Sequence, residues 1–365
     1  MASKSIGKRP ILDIRFIHKE LKKHNDTIRS GIKGFENNDS LLFFVRILSC
    51  NGAYSSSFTD AWCETQVDFS KGVSYRHLFD IGILEQFLET CDLPASLDEN
   101  LKYCLLLAFQ TLADFMDDYE ETEKLIMRYA NSKIKEVYWT GVFGTHVIKK
   151  LSSAKKMTIS DCGYEFGAGA EECLCGCGEE LVYGDTSMGH ADVWHGSVDI
   201  LVPNVAVNVT PDIPVAGFEM ETDNLEKYRR QLIPKAIVTS CSMHSSKPLI
   251  AISKSNMKLL LYDFDSDILF ESEEFYFKES LTIVTILGLW LAINNVVFGL
   301  DINPAFKKTG CQSGFKAFIQ EARKLDIYGN QMHLYGCKEV PRIGRPISEI
   351  ISEIRRNRIS LVMPE

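Results

Sequence analysis

Asp199 stands in Ser197-Val198-Asp199-Ile200-Leu201-Val202, a run otherwise apolar enough to be buried on both faces of a sheet. A carboxylate placed there costs several kcal/mol unless a partner or a cation neutralises it. Glu219 repeats the anomaly in Gly217-Phe218-Glu219-Met220-Glu221-Thr222. Strand alternation puts Glu219 and Glu221 on one face and Phe218 and Met220 on the other. Neighbouring acids on one face repel unless they are solvated or bridged by a cation. Three carboxylates gathered from adjacent strands are oxygen ligands suited to Mg²⁺ or Mn²⁺. Such an ion acidifies a bound water, aims it at phosphorus and stabilises the leaving oxygen. The competing reading is an exposed acidic sheet edge, because structural ion pairs also place acids in strands.

The elements that must position these acids can be read around them. Residues 133–156 give a helical pattern through Val137, Val142, Val147, Ile148 and Leu151, interrupted by Gly141 and Gly144. EECLCGCGEELVYG reads as a strand, followed by turn chemistry in GDTSMGHAD. WHGSVDILVP reads as a second strand closed by Pro203, and VAGFEMET as a third. A helix starts at Asp223 or Asn224, both good caps, with Pro234 placed to shorten or bend it. KPLIAISKSNMKLLLYDF then reads as a hairpin turning near Ser255-Asn256. Residues 1–130 are mainly helical in pattern, most clearly from Glu99 to Asn131, where Leu101, Leu105, Phe109, Leu112 and Phe115 recur at helical spacing. The acidic stretch 117–121 reads as a solvated helix face or turn.

In order and predicted structure these motifs resemble the PD-(D/E)XK nuclease superfamily, and within it the RecB-like branch. That branch has G-x-x-x-H on a helix, G-x-x-D, E-x-K on the next strand, then a helix with Gln and Tyr. This chain offers Gly141 to His146, Gly196-Ser197-Val198-Asp199, Glu219-Met220-Glu221, and Tyr228-Arg229-Arg230-Gln231-Leu232. The resemblance covers about 130 residues, 131–262. It implies an α/β fold with a mixed central sheet flanked by helices, in the order αβββαββ. The expected layout is a helical region over 1–130, a nuclease-like core over 131–300, and a C-terminal extension over 301–365 with a short basic helix at 342–360. The implied cation ligands are Asp199, Glu219, the Met220 carbonyl and His146, with Gln231 orienting the site and Tyr228 assisting.

The departures are specific. His146 lies five residues after Gly141, and Lys149 and Lys150 follow it where the branch has an acid. Glu221 occupies the lysine seat, where it could act as a general base or metal ligand but cannot supply positive charge. Lys235 or Lys227, on the following helix, would be the displaced lysine. Two functions follow as expectations. One is a Mg²⁺- or Mn²⁺-dependent nuclease that hydrolyses DNA or RNA through a metal-activated water, with catalytic roles for Asp199, Glu219, Glu221 and Gln231. The other is a catalytically degenerate, nuclease-like protein that binds nucleic acid or protein partners.

The bulk composition limits the partners. The chain has 365 residues, is 45% hydrophobic and 24% charged, and carries a formal charge of −9. Nucleic acid would therefore meet local patches, not a basic surface. Residues 133–156 hold six lysines against Glu136, and Lys149, Lys150, Tyr228, Arg229 and Arg230 are the candidate contacts to a phosphate backbone. The polar N-terminus has no secretory h-region, so the expected location is intracellular, cytoplasmic or nuclear, with reduced thiols. Residues 281–300 form an apolar run, read as a buried helix in preference to a membrane span. Among eleven cysteines, Cys162, Cys173, Cys175 and Cys177 precede the Asp199 strand. Alternate cysteines share a strand face, so small buried side chains are the first reading; Zn²⁺ comes second and an iron–sulfur cluster third.

Overall fold

Val205–Val209, Pro248–Ile252 and Asn256–Asp263 carry apolar side chains on both faces, and such strands are stable only inside a sheet covered on both sides. The computed structural model describes residues 12–36, 41–132, 134, 136–154, 156–161, 170–203, 205–209, 224–277, 279–299 and 311–337; for 170, 171, 224, 226 and 227 only the backbone is considered. Its strands, in chain order, are β1 (Leu41–Cys50), β2 (Ser56–Ser57), β3 (Cys63–Ser74), β4 (Thr158–Ser160), β5 (Ala170–Glu172), β6 (Glu180–Gly184), β7 (Ser187–Gly189), β8 (Trp194–Ser197), β9 (Ile200–Val202), β10 (Val205–Val209), β11 (Pro248–Ile252), β12 (Asn256–Asp263), β13 (Ile268–Ser272), β14 (Phe275–Tyr276) and β15 (His333–Leu334). An eleven-stranded mixed sheet runs β3-β1-β13-β12-β11-β10-β9-β4-β6-β5, with β14 paired to β12; a smaller sheet runs β15-β7-β8-β2.

Side-chain alternation divides the interior into two cores. Val205, Val207, Ile250, Ile252, Leu259 and Leu261 belong to the core that also holds the N-terminal helices and the apolar residues of 286–293. Ala206, Leu249, Ala251, Leu260 and Tyr262 face the other way, beneath α8 (Asn224–Ser242). β9 and β10 are antiparallel, and α8 carries the chain over to β11, which lies parallel to β10. Pro234 sits inside α8 and does not end it. The expected hairpin at 247–264 is present as antiparallel β11 and β12.

The sequence reading needs correction at several elements. The described residues of 1–130 do include five α-helices: α1 (Ile14–Lys23), α2 (Asn25–Glu36), α3 (Gly82–Thr90), α4 (Glu99–Asp117) and α5 (Tyr119–Ala130). It also contributes β1 and β3, whose pairing extends the main sheet, because β1 is buried along Leu42 to Val45. WHGSVDILVP is two strands in two different sheets, β8 and β9, with the chain breaking at Val198 and Asp199. The strand that follows Asp199's is β10; VAGFEMET lies outside the described residues. The αβββαββ order is therefore too sparse, since β4 to β10 all precede α8.

The apolar run after residue 280 forms α9 (Ile283–Ile293), opened by the Thr282 hydroxyl and buried throughout its last nine residues. Trp290 donates its indole N–H to the Ala108 carbonyl at 3.0 Å and stacks on Phe109, which fixes α9 against α4. No described helix is long and apolar enough to cross a membrane. Residues 311–337 pack into the second core through Phe315, Ile319 and Tyr328, so this part of the expected extension belongs to the folded body. The basic segment 342–360 lies outside the described residues.

Candidate functional site

EECLCGCGEELVYG is not one strand. β5 and β6 pair antiparallel, and Cys173 to Glu179 form the loop between them. The Cys173 carbonyl accepts from Gly176 N–H at 3.1 Å, and the Glu179 carbonyl from Cys173 N–H at 2.7 Å, closing the loop on itself. Gly176 (φ 84°) and Gly178 (φ 79°) both take the left-handed conformation that side-chain-bearing residues resist. Each reverses the chain after a cysteine, so Cys173, Cys175 and Cys177 turn toward one point instead of lying along a strand face.

His146 meets them there. It lies in a buried helix that runs from α6 (Glu136–Phe143) through a π turn (Gly144–Ile148) to α7 (Lys149–Leu151), with Lys149 N–H reaching back to the Gly144 carbonyl. A π turn changes the angular position of every residue after it, a distortion that recurs at functional sites. His146 Nε2 lies 3.0 Å from Cys175 Sγ, 3.6 Å from Cys177 Sγ and 3.7 Å from Cys173 Sγ. The four atoms all fall within 4.8 Å of one another.

Zinc bonds of about 2.3 Å to sulfur and about 2.0 Å to nitrogen place tetrahedral ligands roughly 3.5–3.8 Å apart. These four residues could therefore hold a metal such as zinc. No other group of three or more His, Cys, Asp or Glu side chains comes within one ion's reach among the described residues. The Cys175 thiol is pushed up to about 11, first by its hydrogen bond to Cys173 and then by burial; Cys173 is lowered by accepting that bond. The loop is also pinned from outside. Lys149 Nζ bonds Glu179 at 2.7 Å, lowering that carboxyl, and Tyr129 OH reaches the Leu174 carbonyl at 3.5 Å.

Asp199 lies elsewhere. By strand alternation it shares the face of Leu201, beneath α8, whereas His146 and Cys173 lie with the other core. The group around His146 consists of three cysteines and includes no described carboxylate, so Asp199 does not share it. Asp199 Oδ2 accepts the Val209 N–H at 2.8 Å, and its carboxyl is raised by burial despite the opposing attraction of Lys235. Continuing the β9–β10 register brings Asn208 beside Asp199, and Lys235 Nζ donates to Asn208 Oδ1. Lys235, named as a displaced lysine, thus does reach the Asp199 neighbourhood from α8. Glu219, Met220, Glu221 and Cys162 lie outside the described residues, as does the Lys227 side chain.

The remaining candidates are engaged within the fold. Gln231 donates to the Thr59 carbonyl at 2.9 Å. Lys149 pairs with Glu179 and Lys150 with Asp118 at 3.0 Å, so these members of the expected basic face are charge-balanced locally. Arg229 Nε bonds the buried Glu271 at 2.6 Å and points into the protein. Tyr228 packs against the second core, and Arg230 is exposed. The acidic stretch behaves as expected: Asp117 pairs with His24, and Glu121 with Lys124. No family model matches the chain, and no curated protein or solved structure matches it.

Proposed function

We propose that this chain is a nuclease-like protein that does not hydrolyse phosphodiesters and serves as a binding module. One observation carries the reading: the Lys235 ammonium bonds Asn208 beside Asp199 and attracts that carboxylate, so a positive charge of the protein's own stands next to it. The cross-strand neighbour of Asp199 is the amide of Asn208, not a second carboxylate. The internal pairing of Lys149, Lys150 and Arg229, in a chain of charge −9, supports a protein partner over nucleic acid.

The hydrolytic reading is favoured by one feature of its own, the passage β9, β10, α8, β11 with Lys235 aimed at Asp199. It requires Glu219 and Glu221 to complete the cation's ligands. The test is a nuclease assay on single- and double-stranded DNA and RNA with Mg²⁺ and with Mn²⁺, comparing the wild type with Asp199→Ala. The proposed reading expects no cleavage by either. Metal-dependent cleavage by the wild type that the variant loses would establish the nuclease instead.

A further inference from the structure

We infer that His146, Cys173, Cys175 and Cys177 form a structural zinc site that fastens the β5–β6 hairpin to the His146 helix. The inference does not rest on the proposed function, since the site lies on the other face of the sheet and shares no residue with Asp199.

Three geometric facts carry it. First, all three sulfurs converge on the same imidazole nitrogen, at 3.0, 3.6 and 3.7 Å. A Cys–His nucleophile pair needs one thiol at the imidazole and gains nothing from two more; a tetrahedral ion needs all of them. Second, the loop backbone is shaped for this convergence by two left-handed glycines, and the helix by a π turn. Third, the donor set is thiolate and imidazole, which selects zinc over the hard cations suited to Asp199. Four protein ligands close the coordination sphere and leave no open position, the mark of a structural site as opposed to a catalytic one.

The position in the fold says what the ion does. β5 has three residues and stands at the end of the main sheet, where among the described strands it pairs with β6 alone. So short an edge strand contributes little stability by itself. β6 pairs with β4, and β4 with β9, so the hairpin is the outer support of the strand that follows Asp199. Zinc bound across loop and helix ties that support to the buried core. Binding releases protons from the thiols, as Zn–S bonds replace S–H bonds, with no redox change.

The test uses the full chain purified from zinc-supplemented expression, with metal content read by mass spectrometry. The expected result is one zinc ion per chain, retained by Cys104→Ser and lost from Cys175→Ser and His146→Ala. Because those variants could fail to fold, the wild type is also exchanged with Co²⁺. A site of three thiolates and one imidazole gives thiolate-to-cobalt charge transfer together with the visible bands of tetrahedral cobalt. Zinc-free protein, or zinc that survives loss of Cys175, would overturn the assignment. So would an octahedral cobalt spectrum without charge transfer, and so would an iron–sulfur absorption spectrum in the isolated chain.

Discussion

His146 Nε2 sits 3.0 Å from Cys175 Sγ, although 28 residues, including the strands β4 and β5, separate them in the chain. A contact of that kind closes a loop and gains its stability from whatever bridges the two groups. If zinc is the bridge, stability must depend on zinc concentration. At a thousandfold excess over the dissociation constant, a ligand specific to the folded state adds about 4 kcal/mol. Zinc-loaded protein should therefore melt well above protein treated with a strong chelator. Hydrogen exchange should localise the change, with amides of 170–184 losing protection first and those of β11 and β12 last. Equal melting temperatures with and without the chelator would remove the metal from the account.

Gly178 allows a finer test, because it is not a ligand. A Cβ added there meets nothing within 4 Å, so Gly178→Ala leaves the space and all four donors intact. Only the backbone preference changes: φ 79° is left-handed, and an L-residue pays about 1–2 kcal/mol for it. The expected outcome is zinc affinity weakened about tenfold by competition against a chromophoric chelator, with the cobalt spectrum unchanged. Unchanged affinity would mean that the loop conformation does not organise the site.

Asp199 and the loop from Cys173 to Cys177 mark where the sequence was legible and where it was not. Asp199 reads from its apolar neighbours as a carboxylate under burial pressure, as it is in the fold, and Lys235, one of the two lysines expected as a displaced lysine, lies near enough to attract it. The buried nature of 283–293 was equally plain, since its hydrophobicity runs around the whole helix. The cysteines misled because alternate residues imply one strand face, and that inference holds only for extended backbone. Gly176 and Gly178, each following a cysteine, were the available signal that it was not extended. The choice of His146 as the fourth ligand depends on a π turn and on tertiary packing, which local pattern does not encode. The ion pairs of Lys149 and Lys150 with Glu179 and Asp118 were hidden for the same reason.

Asp199 gives a pH prediction whose sign is fixed. Its folded-state carboxyl lies above the ordinary value of 3.8, chiefly through burial, while Lys235 and the Val209 N–H pull the other way. The folded chain therefore holds this proton more tightly than the unfolded chain. The contribution to stability is full below 3.8, declines as pH rises from there to the folded value, and stays low above it. Asp199→Asn cannot ionise, and its amide oxygen can still accept the Val209 N–H. At pH 7 the variant should be as stable as the wild type or more so, by urea titration, and the difference should shrink in acid. A loss above about 1 kcal/mol at pH 7 would show that the charge is needed, as a metal ligand or as Lys235's partner.

Glu271 and Glu179 separate buried from exposed ion pairing. Glu271 is buried and accepts from Arg229 Nε at 2.6 Å and from Lys258 Nζ at 3.0 Å, while Lys258 also bonds Glu274 at 3.0 Å. Glu271→Ala strips a partner from two cations that water does not reach freely, and should cost about 3–5 kcal/mol. The Glu179 side chain pairs with Lys149 and is itself 55% exposed. There solvent screens both charges, and Glu179→Ala should cost about 0–1 kcal/mol. Urea midpoints of the two variants, measured with zinc present, give the comparison. Equal losses would mean that Glu179 does more than pair with Lys149. Its backbone carbonyl, which accepts from Cys173 N–H and survives the substitution, could not account for that difference.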